Sequence, residues 1–343
     1  MPVSLTDSYT GPPAWTVNRV FTDWQVEPTV LALAALASAV YLVGLARSRG
    51  RGERWAPGRT AAFAFGIGLW VFTCCSGIGV YERVLFTDRA VQAVVLLMVV
   101  PLFLAMGAPV TVMIEAFPQG WQRWIRTRLA GRTSRVLMFP LVSTVLLVTP
   151  PWLLYFTAWY RLSVTTSGYN TLFHVAFVLF GLAYFWPRLQ IDPVGHRYHP
   201  LIGVVITVAE VICDAALGAT LVFGSHLLVP DYWAALHRPW GMTTRSDQSW
   251  GGAVLWGLGD IAGVPFLVAM IIQVVREETV RTAQTDWELD AQYAEADADA
   301  DADADVVRPR DADGGVQGPE ALTAPWWESD PRFTHLHPDA EAR

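Results

Sequence analysis

Seven long apolar stretches, separated by shorter polar segments, make up most of the chain before residue 278. Each has about 17 to 25 residues, enough for a helix to cross about 30 Å of hydrocarbon at about 1.5 Å per residue. The stretches are residues 30–46, 60–81, 90–114, 136–159, 169–187, 201–224 and 252–275. This pattern predicts an all-α, polytopic membrane protein with a bundle of seven transmembrane helices.

Polar segments flank this membrane domain, which we place at residues 30–278. Residues 1–29 contain prolines, Trp15 and Trp24 but no early apolar core, so we expect an extracytoplasmic leader and not a cleavable signal peptide. Residues 279–343 include an Ala-Asp alternation around residues 294–305. Because such a segment buries too little apolar surface to offset the entropy of ordering, we expect a disordered acidic tail.

Arginine placement predicts the orientation in the membrane. The segments after the first, third and fifth stretches hold twelve arginines, and those after the second, fourth and sixth hold five. Since cytoplasmic segments carry the excess of basic residues, we expect the N-terminus outside and the C-terminus in the cytoplasm. The composition, 53% hydrophobic and 16% charged, is typical of a membrane protein. The chain is therefore predicted to cross a cell membrane several times.

Among the side chains with ligand or ionisable atoms in the apolar stretches, six are candidates for a site: Cys74, Cys75, Met98, His174, Glu210 and Asp214. An intramembrane carboxylate is costly unless it is paired, neutral or hydrated, and Glu210 and Asp214 share one helical face, so the pattern predicts a shared polar pocket. Thiol, thioether and imidazole groups suit copper, above all Cu(I). We therefore treat the six as candidate metal ligands. The structural alternative is packing for the sulfur groups and pairing or protonation for the carboxylates.

Four motifs follow one another in an informative order. They are Val91-Gln92 through Met98–Pro101 to Gly107–Val110, His174–Pro187 with Ile191–Pro193, Asp214–Gly218, and Asp247–Gly252 with Trp256 and Gly259-Asp260. Together they resemble the CtaG-type cytochrome c oxidase assembly proteins of bacteria, over about residues 24–278. The resemblance implies a membrane assembly factor that is not an enzyme, that is implicated in copper delivery, and whose partners are oxidase subunits or other assembly factors.

The chain departs from the family's pattern at the histidines. Where the family usually has a histidine pair near the start of the third stretch, this chain has Arg89 and Ala93. His174 remains from a His-x-His pair whose second position is Ala176, and Asp214 stands where the family usually has histidine. Two interpretations stay open: the chain has lost copper binding, or it builds a site from the two adjacent cysteines, His174 and Asp214.

Two other classes of function also fit the sequence. Glu210, Asp214 and Asp260 lie within membrane depth and could relay protons in a proton-coupled transporter. Alternatively, the acidic tail and the arginine-rich segments could recruit partners to a metal-free membrane scaffold. No phosphate-binding loop, zinc-protease motif or nucleophile with its base is present, and topology already explains the arginine clusters, so the sequence favours neither an enzyme nor a nucleic-acid partner.

Overall fold

The computed structural model of the chain is helical in the part that it describes. The described residues are 9–51, 55–129, 131, 139–189 and 200–259, with further positions at 261, 268, 275, 279, 282–287, 289 and 291. None of these residues lies in a β-strand, which confirms the predicted all-α class. The chain divides into two units, Met1–Glu277 and Glu278–Arg343, and the helices named below belong to the first.

Some sequence predictions concern residues outside this description. Asp260, a candidate for the proton relay, is one of them, and so is the Ala-Asp alternation of the tail. In the second unit, the described positions between 279 and 291 are helical. The segment that we expected to be disordered from residue 279 onwards therefore begins with helical positions.

The first unit is a succession of helices joined by short connections. They are α1 (Val17–Thr22), α2 (Pro28–Gly50), α3 (Pro57–Cys75), α4 (Gly77–Tyr81), α5 (Phe86–Val94), a π-helical turn (Val95–Val99), α6 (Val100–Met106), α7 (Pro109–Glu115), α8 (Gln119–Leu129), α9 (Pro140–Phe156), α10 (Ala158–Thr165), α11 (Ser167–Leu189), α12 (Pro200–Phe223), α13 (Pro230–Leu236) and α14 (244–259). Many begin with proline, whose fixed φ suits the first turn of a helix and whose missing N–H is not needed there.

Four helical segments of the described chain have the length and hydropathy to cross a membrane. They are Pro28–Gly50, Pro57–Tyr81, Phe86–Met106 and Ser167–Leu189. The pair Leu141–Phe156 and Ala158–Thr165, bent by 73°, makes a fifth if it is counted as one span. These agree with the first five predicted stretches. The sixth and seventh stretches overlap α12 and α14, whose surroundings are described only in part, so the count of seven spans stays a prediction.

The third predicted stretch is broken where the sequence pattern is continuous. We expected one helix over residues 90–114, but α6 ends at Met106 and α7 begins at Pro109. Between them Ala108 has a φ of 49°, and the Gly107 carbonyl accepts a hydrogen bond of 3.0 Å from the buried Tyr41 hydroxyl. A proline cannot supply the N–H that continues a helix, so the chain turns just before Pro109.

The fourth stretch bends beyond its prolines. Proline inside a helix usually kinks or ends it, but α9 contains both Pro150 and Pro151 and continues to Phe156. The bend lies at Thr157, whose hydroxyl accepts a hydrogen bond of 3.2 Å from the Trp159 N–H and so caps α10. The cap satisfies a donor that the start of a new helix would leave without a partner.

Helix α11 lies at the centre of the bundle, where it packs against α6, α9, α10 and the π-helical turn. The approach to the π-helical turn is close, because a Cβ at Gly181 would lie 2.1 Å from the Leu97 carbonyl oxygen. Pro101 has no N–H to donate to that carbonyl, which explains the wider turn at this place in the helix. Glycine at position 181 is therefore needed for the packing of α11.

The connection between α12 and α14 is more ordered than we expected. The prediction was a loop over residues 225–251, but the structure places α13 there and starts α14 at residue 244. Asp247 caps α5 from a distance: its carboxylate accepts hydrogen bonds from Phe86 N at 2.9 Å, Thr87 N at 3.1 Å and the Thr87 hydroxyl at 2.7 Å. Gln248 accepts one of 2.8 Å from the Leu228 N–H. This motif therefore fixes the start of α5.

We expect Asp247→Ala to lower the free energy of unfolding by about 1–3 kcal/mol, because it leaves two buried N–H groups at the start of α5 without acceptors. Unfolding of the detergent-solubilised protein with SDS measures the change. The control is Asp231→Ala, which removes a carboxylate that is 83% exposed and pairs only with the exposed Arg161. If both variants lose the same stability, Asp247 is not the cap of α5.

Candidate functional site

A buried carboxylate, Glu82, collects polar side chains from two helices. It lies directly after α4, is 1% exposed, and accepts hydrogen bonds from Gln92 Nε2 at 2.7 Å, from His174 Nε2 at 2.8 Å and from Asn170 Nδ2. Arg89 Nη1 lies 3.9 Å from the same carboxylate. We call these five residues the Glu82 cluster. The four partners are all fully buried.

Helical spacing brings the partners to Glu82. Arg89 and Gln92 are three residues apart on α5, and Asn170 and His174 are four apart on α11, so each pair lies on one face of its helix. Asp247 sets where α5 begins and therefore which of its faces meets α11. Gln92 also donates a hydrogen bond of 3.2 Å to the Thr73 carbonyl of α3. The cluster thus joins three of the helices that could cross the membrane.

The neighbours of Glu82 favour its ionised form. Burial opposes ionisation of Glu82, but Arg89 and His174 more than offset it, so that the pKa of this carboxyl is lowered to about 2. An ionised carboxylate only accepts hydrogen bonds, so His174 must donate from Nε2, which places the lone pair of a neutral ring on Nδ1. That Nδ1 is buried and has no hydrogen-bond partner among the described residues. A histidine held from behind by a carboxylate is a common arrangement for a metal ligand.

A second polar cluster lies near the other end of α11. Arg188 Nη2 donates to Glu210 Oε1 at 2.9 Å, the Tyr184 hydroxyl donates to Glu210 Oε2 at 2.8 Å, and the Thr144 hydroxyl donates to Oε1 at 2.6 Å. These four residues form the Glu210 cluster. His174 and Arg188 are fourteen positions apart, about 21 Å along the helix. Because Glu210 is engaged by a fixed positive charge, it is poorly suited to relay protons.

Met98 and Asp214 line one cavity. Both are half-buried, and the cavity has a volume of about 30 Å³, room for a water molecule but not for a cofactor. Leu147 and Pro151 also line it, and Pro151 has no N–H to donate to the Leu147 carbonyl of its own helix. The cavity therefore lies between residues of the π-helical turn, α9, α12 and α14.

The two adjacent cysteines lie at the end of α3, both buried and both with free thiols. Cys74 is close enough to Glu82 and Arg89 to interact with their charges. Their backbone carbonyls hold the leader, since Gln25 donates from its N–H to the Cys75 carbonyl at 2.7 Å and from its side chain to the Cys74 carbonyl at 3.1 Å. The cysteines therefore belong to the same end of the bundle as the Glu82 cluster.

The six candidate ligands thus lie in different surroundings. His174 belongs to the Glu82 cluster with Cys74 close by, Glu210 belongs to its own cluster, and Met98 and Asp214 share a cavity. Within the part of the chain that the structure describes, no three His, Cys, Asp or Glu side chains are grouped as a metal site would require. A metal site built from these six residues stays a prediction.

Sequence reasoning did not find the centre of the site. We assigned Glu82 and Arg89 to a short polar loop and Arg188 to another, but Glu82 and Arg89 are almost fully buried and the Arg188 side chain is 9% exposed. One signal was available: Asn170 and His174, four residues apart, form a polar pair on one face of an otherwise apolar helix. Such a pair predicts a buried hydrogen-bond partner on another helix, although the sequence does not identify that residue.

Comparison with known proteins places these clusters in a described family. The family model "Cytochrome c oxidase caa3 assembly factor" matches residues 39–277. The chain is also 27% identical over 296 residues to an uncharacterized protein of Mycobacterium bovis and to one of Mycobacterium tuberculosis, matches that cover 84% of this chain and 44% of each relative. An uncharacterized protein of Mycobacterium leprae is 26% identical over 289 residues, which cover 81% of this chain and 43% of that relative.

The chain spans less than half the length of these curated relatives. No solved structure gives a significant match to the chain.

We expect Glu82→Gln to lower the free energy of unfolding by about 3 kcal/mol, because it leaves the buried Arg89 charge without its carboxylate. SDS unfolding of the detergent-solubilised protein measures the loss. The matched control is Arg83→Gln, since Arg83 is 4.0 Å from Glu82 but its side chain is 36% exposed, and it should lose little. The double variant Glu82→Gln/Arg89→Gln should be more stable than the sum of the single losses predicts.

The stability difference between the wild type and Glu82→Gln should depend on pH. The folded pKa of Glu82, about 2, is below its ordinary value of 4.5, so the ionised group stabilises the fold fully above about pH 4.5 and progressively less as the pH falls toward 2. The difference in stability between wild type and Glu82→Gln should therefore narrow over that range. A difference that stays constant would show that Glu82 is not held as a carboxylate.

Proposed function

Because the chain belongs to the cytochrome c oxidase caa3 assembly factor family, we propose that it supports the biogenesis of cytochrome c oxidase. The observation that carries this proposal is the family match, which includes every residue of both polar clusters. The chain would act as a multi-pass protein of the bacterial plasma membrane and not as an enzyme. Its partners would be oxidase subunits or other assembly factors.

Copper delivery is the step that we propose for the outer end of the bundle. The support is chemical: His174 Nδ1 has no hydrogen-bond partner among the described residues, Glu82 lies behind the ring, and the Cys74 thiol lies near the same carboxylate. Imidazole and thiolate are ligands that suit Cu(I) in kind. The buried Arg89 charge disfavours a second cation that stays there, so we propose copper as a passing cargo and not as a resident cofactor.

We propose that the Glu82 cluster faces the outside of the cell and the Glu210 cluster the cytoplasm. The structure removes Arg188 from the twelve arginines counted as cytoplasmic and Arg89 from the five counted as external, because both are in helices and nearly buried. Eleven then remain against four. The larger number of arginines lies in the segments on the same side as α8, which supports a cytoplasmic C-terminus and an external N-terminus.

Reporter fusions test this orientation. Alkaline phosphatase fused after residue 240 should be active, because the segment around α13 would lie outside. Green fluorescent protein fused after residue 129, the end of α8, should fluoresce, because that helix would face the cytoplasm. Exchanging the two reporters is the control, and each should then be inactive. The reverse pattern would refute the proposed orientation.

Deletion of the gene in its own bacterium tests the role in assembly. We expect oxidase activity, the haem absorption of the oxidase and its copper content to fall, and the wild-type gene to restore all three. Normal values of all three in the deletion strain would refute the role in assembly.

The copper step has separate readouts in the same strain. His174→Ala and Cys74→Ser/Cys75→Ser should restore less copper to the oxidase, and the purified His174→Ala protein should bind Cu(I) at least about tenfold more weakly. Cys213→Ser is the control, because Cys213 is half-buried and belongs to neither polar cluster. If all these variants restore the oxidase fully, the chain assists assembly without copper, as the scaffold alternative requires.

A further inference from the structure

One edge of the buried Arg89 guanidinium is not used by the Glu82 cluster. Nη1 donates a hydrogen bond of 3.2 Å to Gln92 Oε1 and lies on the side of Glu82. Nε and Nη2 are buried and have no hydrogen-bond partner among the described residues. These two nitrogens form the side of the guanidinium that donates two parallel hydrogen bonds to a carboxylate.

Two buried tyrosine hydroxyls near Arg89 also lack a hydrogen-bond partner among the described residues. They belong to Tyr155 of α9 and Tyr160 of α10. Their rings pack against each other at 5.4 Å and against the Phe86 ring at 5.3 and 5.5 Å. Phe86 is three residues before Arg89 on α5 and therefore on the same face of that helix.

These groups are close enough to act together. Both phenol rings pack against Phe86, which lies one helical turn before Arg89 on the same face of α5. The Arg89 guanidinium lies over the Phe173 ring, 4.6 Å from its centre, which keeps it on the inner side of α11. The walls are aromatic, and the guanidinium edge and the two hydroxyls all carry hydrogen atoms to donate. A buried donor without an acceptor is unfavourable, so the group of donors requires an acceptor that the described protein does not supply.

Charge favours an anion over a neutral acceptor. Among the described acids, Glu82 lies within 4 Å of Arg89, with 3.9 Å between its carboxylate and Arg89 Nη1. This carboxylate already accepts hydrogen bonds from three other side chains. It therefore balances the guanidinium only in part, and on the far side from Nε and Nη2. Asp247, another buried acid, is occupied by the start of α5 and by Arg238 at 3.5 Å.

We propose that Arg89, Tyr155 and Tyr160 form a binding site for one small carboxylate. Its two oxygens accept from Nε and Nη2 of Arg89, and the tyrosine hydroxyls donate to the same oxygens. The planar fork of arginine selects a carboxylate over a spherical ion such as chloride. This site uses the Nε and Nη2 edge of Arg89, whereas the proposed copper step uses His174, and it does not depend on the role in oxidase assembly.

Formate is the probe, with chloride at equal ionic strength and pH as the reference anion. We expect formate to raise the thermal unfolding midpoint of the full chain in detergent, and radiolabelled formate to bind once per chain. Equal midpoints in both salts, or binding that chloride displaces at equal concentration, would overturn the proposed carboxylate site, because water or any anion would then satisfy the donors.

Tyr155→Phe/Tyr160→Phe tests the site without removing a charge. It keeps both rings and removes two hydroxyls that have no protein partner, so the chain should fold while its formate affinity falls at least about tenfold. Tyr41→Phe is the matched control: it removes a buried hydroxyl that donates to Gly107, and it should lower stability in both salts while leaving the formate effect unchanged. An unchanged formate affinity in the double variant would refute the site.

Arg89→Lys separates charge from geometry. Lysine keeps the positive charge near Glu82 but lacks the fork, so the preference for formate over chloride should disappear. If that variant does not fold, the tyrosine variant decides alone. A preference for formate that persists in a folded Arg89→Lys protein would overturn the proposed recognition by the guanidinium edge.

Discussion

The fold depends on a carboxylate that is buried near one end of the helical bundle. Moving an isolated carboxylate from water into a low-dielectric interior costs on the order of 20 kcal/mol in the idealised case and several kcal/mol in real proteins. For Glu82, three hydrogen-bond donors and a guanidinium offset this cost. The helices that supply them must keep their relative positions, because a loss of any one donor leaves a buried charge uncompensated.

The Glu210 cluster likewise requires the other end of α11 to keep its position relative to the neighbouring helices. About 21 Å separates His174 from Arg188 along this helix, and the residues between them are mostly apolar. A shift of α11 by one turn would break both clusters at once, since each uses side chains four residues apart. Hydrophobic contacts alone tolerate such a shift, because lipid tails and leucine side chains are equally apolar. The two buried polar clusters therefore give the central helix its register.

Hydropathy predicted where the helices lie, because the length of an apolar stretch and the thickness of a bilayer are local properties. It did not predict which polar side chains pack between the helices. Glu82 and His174 are 92 positions apart in the chain, and nothing in either surrounding sequence specifies the other. Glu82 and Arg89 looked like loop residues because charges usually leave the membrane. They are buried because Asp247, far along the chain, fixes the start of α5 at Phe86.

Arg89 also bears on the relation between this chain and its family. The resemblance places Arg89 at a position where the family usually has histidine. A neutral histidine there would leave the Glu82 charge to be met by a proton or by a metal ion, whereas a guanidinium meets it at every physiological pH. The Glu82 charge in this chain therefore needs no metal ion to balance it. A site that folds whether or not copper is present can pass copper on without unfolding, which a carrier needs and a resident metal centre does not.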